Sequence, residues 1–159
     1  MTTRADFASE EWNRIVRLPR LIVAAASAAQ RDVAHRTRVE IEAGLVASAR
    51  GREIGNAFVS EVAAEALRVF DEKSTLDGVD FSDPAAGIAF VLERASAVYE
   101  LLKTKADPIE VAVYRGWLLK ITDVVISAAR SGGFLGFGGR KVTEAEKRFR
   151  ESLATAMIG

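Results

Sequence analysis

Apolar side chains recur at intervals of three and four residues along almost the whole chain, and this spacing limits the folds that the chain can adopt. After Asn56, for example, apolar residues stand at positions 58, 59, 62, 63, 66, 67 and 70, which is the pattern of an amphipathic helix. Period-two alternation of Val, Ile and Thr, the pattern of a half-buried strand, is hard to find. We therefore predict an all-α, single-domain bundle of about six helices with antiparallel neighbours over residues 1–159.

Three helix starts are marked by local capping signals. Asp83-Pro84 and Asp107-Pro108 each place a carboxylate, which accepts from backbone N–H groups, before a proline at the first helical position. Glu110 is predicted to complete a capping box with Asp107, and Thr143 with Glu146 forms the same motif at the last helix. The helix after Asp107 carries its predicted apolar stripe at Ile109, Val113, Trp117, Ile121, Val124 and Ala128.

The first helix is predicted to begin with Ser9 as its cap and to carry Trp12 on its apolar side. Pro19 has no backbone N–H, so the helix is either kinked there or split, with a second helix starting at the proline. Residues 21–29 are small or apolar on every side, which indicates a helix surrounded by other helices. We expect this segment to be the central helix of the bundle.

Two further features concern helix packing. Val39, Ala43 and Val46 form one apolar stripe on the helix that precedes Gly51. Gly116 stands inside a predicted helix, where glycine is about 1 kcal/mol less favourable than alanine. Its presence predicts a tight helix crossing beside Trp117, because a missing side chain lets two backbones approach closely. The alternative is that this glycine has no packing role.

The composition excludes several classes of protein. The chain has 159 residues with 22 basic and 22 acidic groups, whereas a nucleic-acid-binding domain usually carries a clear basic excess. It has no cysteine, which excludes disulfides, thiolate metal sites and a cysteine nucleophile. No apolar run approaches the ~20 residues of a membrane span, and the start MTTRADFASEEW lacks the features of a secretory signal. We therefore expect a cytoplasmic protein that binds no nucleic acid.

Motifs for metal and catalytic chemistry are incomplete. His35 is the only histidine, and with Asp32 it resembles half of a di-iron carboxylate site whose second histidine this chain cannot supply. The acidic segment 71–83 lacks the required ligands at three positions of a calcium-binding EF-hand loop, so we interpret it as a solvated loop. We predict no catalytic residue, no metal and no cofactor.

The glycine-rich segment SGGFLGFGGRK is the candidate functional site. It fails both phosphate-loop patterns, GxxxxGK[ST] and GxGxxG. Its candidate binding residues are Phe134, Leu135, Phe137, Arg140 and Lys141. Either the aromatic side chains fold back and seal the end of the bundle, or they form a docking or dimer patch, or the segment contacts an anionic ligand or a membrane surface. The sequence leaves these three alternatives open.

A resemblance is carried by the segment ARSGGFLGFGGRKVTEAEKRF and the preceding helix RGWLLKITDVVISAA. Together they resemble the end of a group of small helical bacterial proteins of unknown function, which end in a Gly-Gly-Phe-Leu-Gly-Phe-Gly-Gly segment and a Ser/Thr-x-x-Glu helix start. The same tail is more distantly similar to the TerB-like helical bundles of tellurite resistance. Ser131 stands where those bundles have an Asp, and FLGFGG is inserted. The resemblance implies a bacterial helical protein with a stress-related role and no assigned activity.

The charges are distributed unevenly along the chain, and this bears on assembly. Residues 1–52 carry nine basic and six acidic groups, residues 53–110 five and twelve, and residues 111–159 eight and four. An acidic middle between basic ends suits self-association. We therefore predict a non-enzymatic bundle that forms a homodimer or binds a protein partner. The alternative is a bundle that binds a small ligand or anion near Trp117 and Tyr114 or near Arg140 and Lys141, and an enzyme using buried carboxylates is the least favoured hypothesis.

Overall fold

The all-α prediction is confirmed. The computed structural model describes residues 1–29, 34–71, 78–128 and 142–158. Within these ranges there are two short 3-10 helices, Arg4–Asp6 and Arg50–Glu53, and no strand. Six α-helices make up the rest of the regular structure: α1 Ser9–Ala28, α2 Ala34–Ala49, α3 Ala57–Asp71, α4 Pro84–Lys105, α5 Pro108–Ala128 and α6 Glu144–Ala156. None of the helices in the described ranges is long and apolar enough to cross a membrane.

Helix α1 is the centre of the bundle, as the small and apolar residues 21–29 predict. It contacts each of the other five α-helices. Ile15, Leu18, Leu21 and Ile22 are fully buried side chains of this helix. Buried residues from all six α-helices join them in one hydrophobic cluster. Because burying one such side chain stabilises a fold by roughly 1.5–3 kcal/mol, α1 contributes a large share of the folding free energy.

Pro19 does not divide α1, so of the two alternatives that the sequence allows, a kink or a split, the split is wrong. The helix runs without interruption from Ser9 to Ala28, with Pro19 inside it. A proline at this position offers no N–H to the carbonyl four residues earlier, which is that of Ile15. The Tyr114 hydroxyl, on α5, donates a hydrogen bond of 2.8 Å to that Ile15 carbonyl oxygen. A side chain from another helix thus replaces the donor that the proline lacks.

Two predicted capping interactions are also wrong. Ser9 is the first residue of α1 and Ala8 is the N-cap; the Glu11 carboxylate accepts from the Ala8 N–H at 2.8 Å. Glu110 does not close a capping box on Asp107, because its Oε2 accepts a hydrogen bond from the backbone N–H of Thr2 at 3.0 Å. The Glu110 carboxylate therefore fastens the N-terminal segment to the start of α5, a long-range contact that no local motif encodes.

The predicted caps at Asp83 and Thr143 are confirmed, and the Asp107 carboxylate accepts from the Ile109 N–H at 2.8 Å. Asp83 is the N-cap of α4, and its carboxylate accepts from the Ala86 N–H at 3.2 Å. Thr143 and Glu146 form the predicted reciprocal capping box at α6. Both motifs lie within four consecutive residues, so the sequence alone is enough to specify them.

A chain of aromatic rings crosses the interior and ends at Trp117. Neighbouring ring centroids are 5.9 Å apart for Phe7 and Trp12, 6.2 Å for Trp12 and Phe58, 6.2 Å for Phe58 and Tyr114, and 5.8 Å for Tyr114 and Trp117. These separations lie in the range of favourable ring contacts. This series of rings connects the N-terminal segment, at Phe7, to α5, at Trp117.

Candidate functional site

The binding residues predicted from the sequence, Phe134, Leu135, Phe137, Arg140 and Lys141, lie outside the described residues. So do Asp32 and the side chain of His35. The described chain stops at Ala128, the last residue of α5, and resumes at Val142, just before α6. The glycine-rich site therefore stays a prediction.

A second candidate site is present between α2 and α5, on the outside of the bundle. Two adjoining depressions, of about 290 Å³ and about 340 Å³, share Lys120 and Val124 in their walls. We call the continuous feature the α2–α5 groove. Its apolar surface is formed mainly by Ala43, Ala47, Ile54, Val113, Trp117 and Val124.

Apolar side chains on the outer face of α2 and at the end of the following 3-10 turn are exposed beside or within this groove. Val46 is 55% exposed and Ile54 is 43% exposed. Val39, which belongs to the same predicted stripe as Val46, is 37% exposed. The predicted stripe thus exists on the helix, but it lies largely on the solvent side. On the opposite side of α2, Gly44 packs closely against Val23 and Val125.

Gly116 lies in the groove wall and makes no tight helix crossing, which corrects the prediction from the sequence. Among the described residues, a Cβ atom built on Gly116 would meet no atom of another helix within 4 Å. The close approach to Trp117 comes instead from Gly51, in the 3-10 turn, where a Cβ would lie 2.6 Å from the indole Cε2. The absence of a side chain at Gly116 keeps the first depression open.

Trp117 lines the first depression, and its indole N–H packs against Gly51 in the 3-10 turn. The residue is 3% exposed, and its indole Nε1 has no hydrogen-bond partner among the described residues. By contrast, the other indole, Trp12, donates to the Glu65 carboxylate at 2.9 Å. A buried donor without an acceptor costs about 1–3 kcal/mol, so the Trp117 N–H is an unusual feature next to a surface depression.

The charges that line the groove are mainly positive. Arg50, from the α2 side, and Lys120, from α5, line the first depression, and both are exposed. Asp123 lines the second depression, but its carboxylate accepts hydrogen bonds from Arg150 Nε at 3.0 Å and Arg150 Nη2 at 3.4 Å. The interaction with Asp123 raises the pKa of Arg150. The groove therefore presents two cations beside a carboxylate that is already paired.

The buried polar side chains that the structure describes have structural roles. Glu40 accepts a hydrogen bond of 2.6 Å from the Ser27 hydroxyl, and Glu110 and Glu146 bind the backbone as described above. Burial raises the pKa of Tyr114, which keeps its hydroxyl protonated as a donor to Ile15. Within the described ranges no group of three His, Cys, Asp or Glu residues is placed to hold a metal ion.

The sequence does not identify Ile54 and Lys120 as site residues, and the predicted apolar stripe of α5 is confirmed only for Trp117 and Ile121, which are buried in the core. The predicted stripe of α5 includes Ile109, which is exposed, and Val113 and Val124, which are half-buried groove residues. Besides Trp117 and Ile121, the core receives Tyr114, Leu118, Thr122 and Val125 from α5. The available signal was that α5 has apolar residues on more than one face, which is more than one core contact requires.

No protein-family model, curated protein or solved structure matches this chain.

Proposed function

We propose that this chain is a non-enzymatic helical module that binds a protein partner through the α2–α5 groove. The observation that carries the proposal is the apolar groove itself, with Ile54 exposed in its wall. Apolar side chains that lie together in the wall of a groove support an interaction site there. The proposal places the protein in the cytoplasm.

The groove has the features that a docking surface needs. Burying apolar surface contributes about 25 cal/mol per Å². Covering ~100 Å² of the groove and ~100 Å² of the partner therefore contributes about 5 kcal/mol to binding, from which the free-energy cost of association is subtracted. The small residues Ala43, Ala47 and Gly116 let a partner backbone approach closely. Arg50 and Lys120 provide polar contacts at the edge of the apolar surface.

A photo-crosslinking experiment tests the proposal in cells that express the protein. A photoreactive amino acid at position 54 lies in the groove, whereas the same residue at position 158 replaces an exposed isoleucine that lines neither depression. We expect protein adducts from position 54 that disappear when Gly116→Leu fills the first depression. Gly116→Ala is the matched control, because a methyl group leaves most of the space open. Equal adducts from both positions, or adducts that persist in the Gly116→Leu protein, would refute the proposal.

A second candidate function is small-ligand or anion binding in the first depression. The two cations that line the depression, Arg50 and Lys120, favour it. Native mass spectrometry of the purified protein tests this alternative directly. A retained small molecule that is lost in the Gly116→Leu protein would support it, and a clean apoprotein mass would contradict tight binding.

The glycine-rich segment is proposed as a further contact site, through Phe134 and Phe137. We expect Phe134→Ser with Phe137→Ser to leave the thermal unfolding midpoint unchanged while weakening partner association. Differential scanning calorimetry measures the first quantity and sedimentation velocity or crosslinking yield the second. A large fall in the unfolding midpoint would instead show that these rings seal the end of the bundle, which is the other role that the sequence allows.

A further inference from the structure

The α2–α5 groove has a length, a wall composition and a charge pattern that together specify what can fill it. We propose that the element bound there is an amphipathic α-helix of about four turns from a different protein, whose acidic side chains face Arg50 and Lys120. This inference rests on the proposed function, since it names the partner of that same groove.

The length of the groove follows from α5, which forms one wall of both depressions. Val113 lines the first depression and Ala128 lines the second. At about 1.5 Å per residue, the helix advances roughly 22 Å between these two positions. A partner helix of ~15 residues, or about four turns, has the same length.

The secondary structure of the partner follows from the walls. Both long walls are helices, whose backbone N–H and C=O groups are already paired within the helix, and the surface between them is largely apolar. An extended peptide would therefore leave its own backbone groups without partners there, whereas a helix satisfies them internally. Ala43, Ala47 and Gly116 let such a helix approach to a short interaxial distance.

The charge of the partner follows from Arg50 and Lys120. Neither cation makes an ion pair within the described residues, and the one carboxylate in the groove wall, Asp123, is held by Arg150. Glutamate or aspartate on the partner helix would complement both cations. Such pairs at the rim of an apolar contact contribute mainly to specificity and to the rate of association.

The same cations argue against two other occupants. In a two-fold dimer through this groove, each copy would bring Arg50 and Lys120 into one interface, where the like charges repel. A bilayer surface is nearly flat and cannot fill a concave groove, and two cations are few for binding an anionic membrane. The observations therefore favour an acidic helix of another chain.

Selection from a peptide library tests the proposal with the full-length protein. The probe is a displayed library of 16-residue helical peptides, panned on the native protein and counter-selected on the Gly116→Leu protein. We expect the enriched peptides to share apolar residues at i, i+3 or i+4, and i+7 and to be net acidic. They should bind the Gly116→Leu protein at least about ten-fold more weakly and the Gly116→Ala protein within about two-fold of native.

Charge reversal separates this proposal from the proposed function. Arg50→Glu with Lys120→Glu should weaken the acidic peptides about ten-fold or more, and changing the peptide carboxylates to lysine should restore binding. Both cations are exposed, so circular dichroism should show an intact helical fold. Enriched peptides that are sensitive to Gly116→Leu but have no acidic bias would overturn the charge proposal and leave groove binding in place. If no peptide is sensitive to Gly116→Leu, groove binding itself fails.

Two further measurements would assign the groove to another occupant. A dimer in sedimentation velocity that dissociates in the Gly116→Leu protein would identify a second copy and overturn the proposal. Co-sedimentation with phosphatidylserine vesicles that is lost in the same variant would identify a lipid surface and overturn it equally. A monomer that binds no vesicles is the expected result in both measurements.

Discussion

The hydrogen bond from Tyr114 to Ile15 is expected to stabilise the protein, because Pro19 has no backbone N–H to donate to the Ile15 carbonyl. The hydroxyl donates to the Ile15 carbonyl at 2.8 Å, and both residues are fully buried. Tyr114→Phe removes the donor and keeps the ring, so it leaves a buried carbonyl without a partner. The cost of such a group is about 1–3 kcal/mol. At about 2–4 °C per kcal/mol for a chain of this size, the unfolding midpoint should fall by roughly 2–12 °C.

A double-mutant cycle isolates the role of the proline. In the Pro19→Ala protein the new backbone N–H can donate to Ile15 in the usual helical manner, so Tyr114→Phe should there cost less than half as much. The predicted coupling free energy is about 1–2 kcal/mol. Any packing change caused by Pro19→Ala alone appears on both sides of the cycle and cancels.

Urea unfolding of the four proteins, followed by circular dichroism at 222 nm, measures the cycle. Equal dependence of the unfolding free energy on urea concentration in all four would show that the compared states are the same. If Tyr114→Phe has the same cost with Pro19 as with alanine at that position, the hydroxyl does not substitute for the missing proline donor. The account of why α1 continues through Pro19 would then be wrong.

Further predictions concern the glycines and one exposed carboxylate. Gly44→Ala should destabilise the fold by about 1–3 kcal/mol, because its Cβ would lie 2.6 Å from a Val23 methyl carbon. Gly116→Ala should stabilise it by up to about 1 kcal/mol, since the site is open and alanine favours the helix. Urea unfolding measures the change in unfolding free energy for the two variants. Equal changes for Gly44→Ala and Gly116→Ala would contradict the close packing of α2 at Gly44. The hydrogen bond from Lys105 and that from the Ala8 N–H lower the pKa of Glu11, so its stabilising contribution is present above the ordinary pKa and is lost as the pH falls through the lowered value. Glu11→Gln should therefore reduce the fall in unfolding midpoint between neutral and acidic pH, and an unchanged pH dependence would refute this.

Features encoded within a few consecutive residues could be predicted from the sequence. The Asp83 cap and the Thr143 capping box are of this kind, and the three-four spacing is enough to identify the helices. The Glu110 bond to Thr2 could not be predicted, because its partners are separated by 108 positions. The continuation of α1 through Pro19 could not be predicted for the same reason, because the donor that replaces the proline N–H lies far away in sequence, on α5.

The candidate groove could not be predicted because periodicity gives the apolar faces of a helix but not which face is covered. In α2, Val39 and Val46 satisfy the helical pattern as well as Ala47 does, yet Ala47 is buried and Val46 is exposed. The choice depends on Gly44, which lets α2 pack against Val23 and Val125. A glycine at that position reads in sequence only as a weak helix former.

The contacts that fix α2 and α5 also fix the groove between them. Gly44 packs on Val23 of α1, and Gly51 packs on the Trp117 ring. The Trp117 ring contacts Tyr114, whose hydroxyl donates a hydrogen bond to the Ile15 carbonyl of α1. Each contact is close enough that the walls cannot shift without disturbing the core, and dense interiors resist such shifts. A preformed surface of this kind loses little conformational entropy on binding. Changes in affinity caused by Gly116→Leu or by charge reversal at Arg50 and Lys120 should therefore report contacts with the bound helix, with no change in the unfolding cooperativity of the bundle.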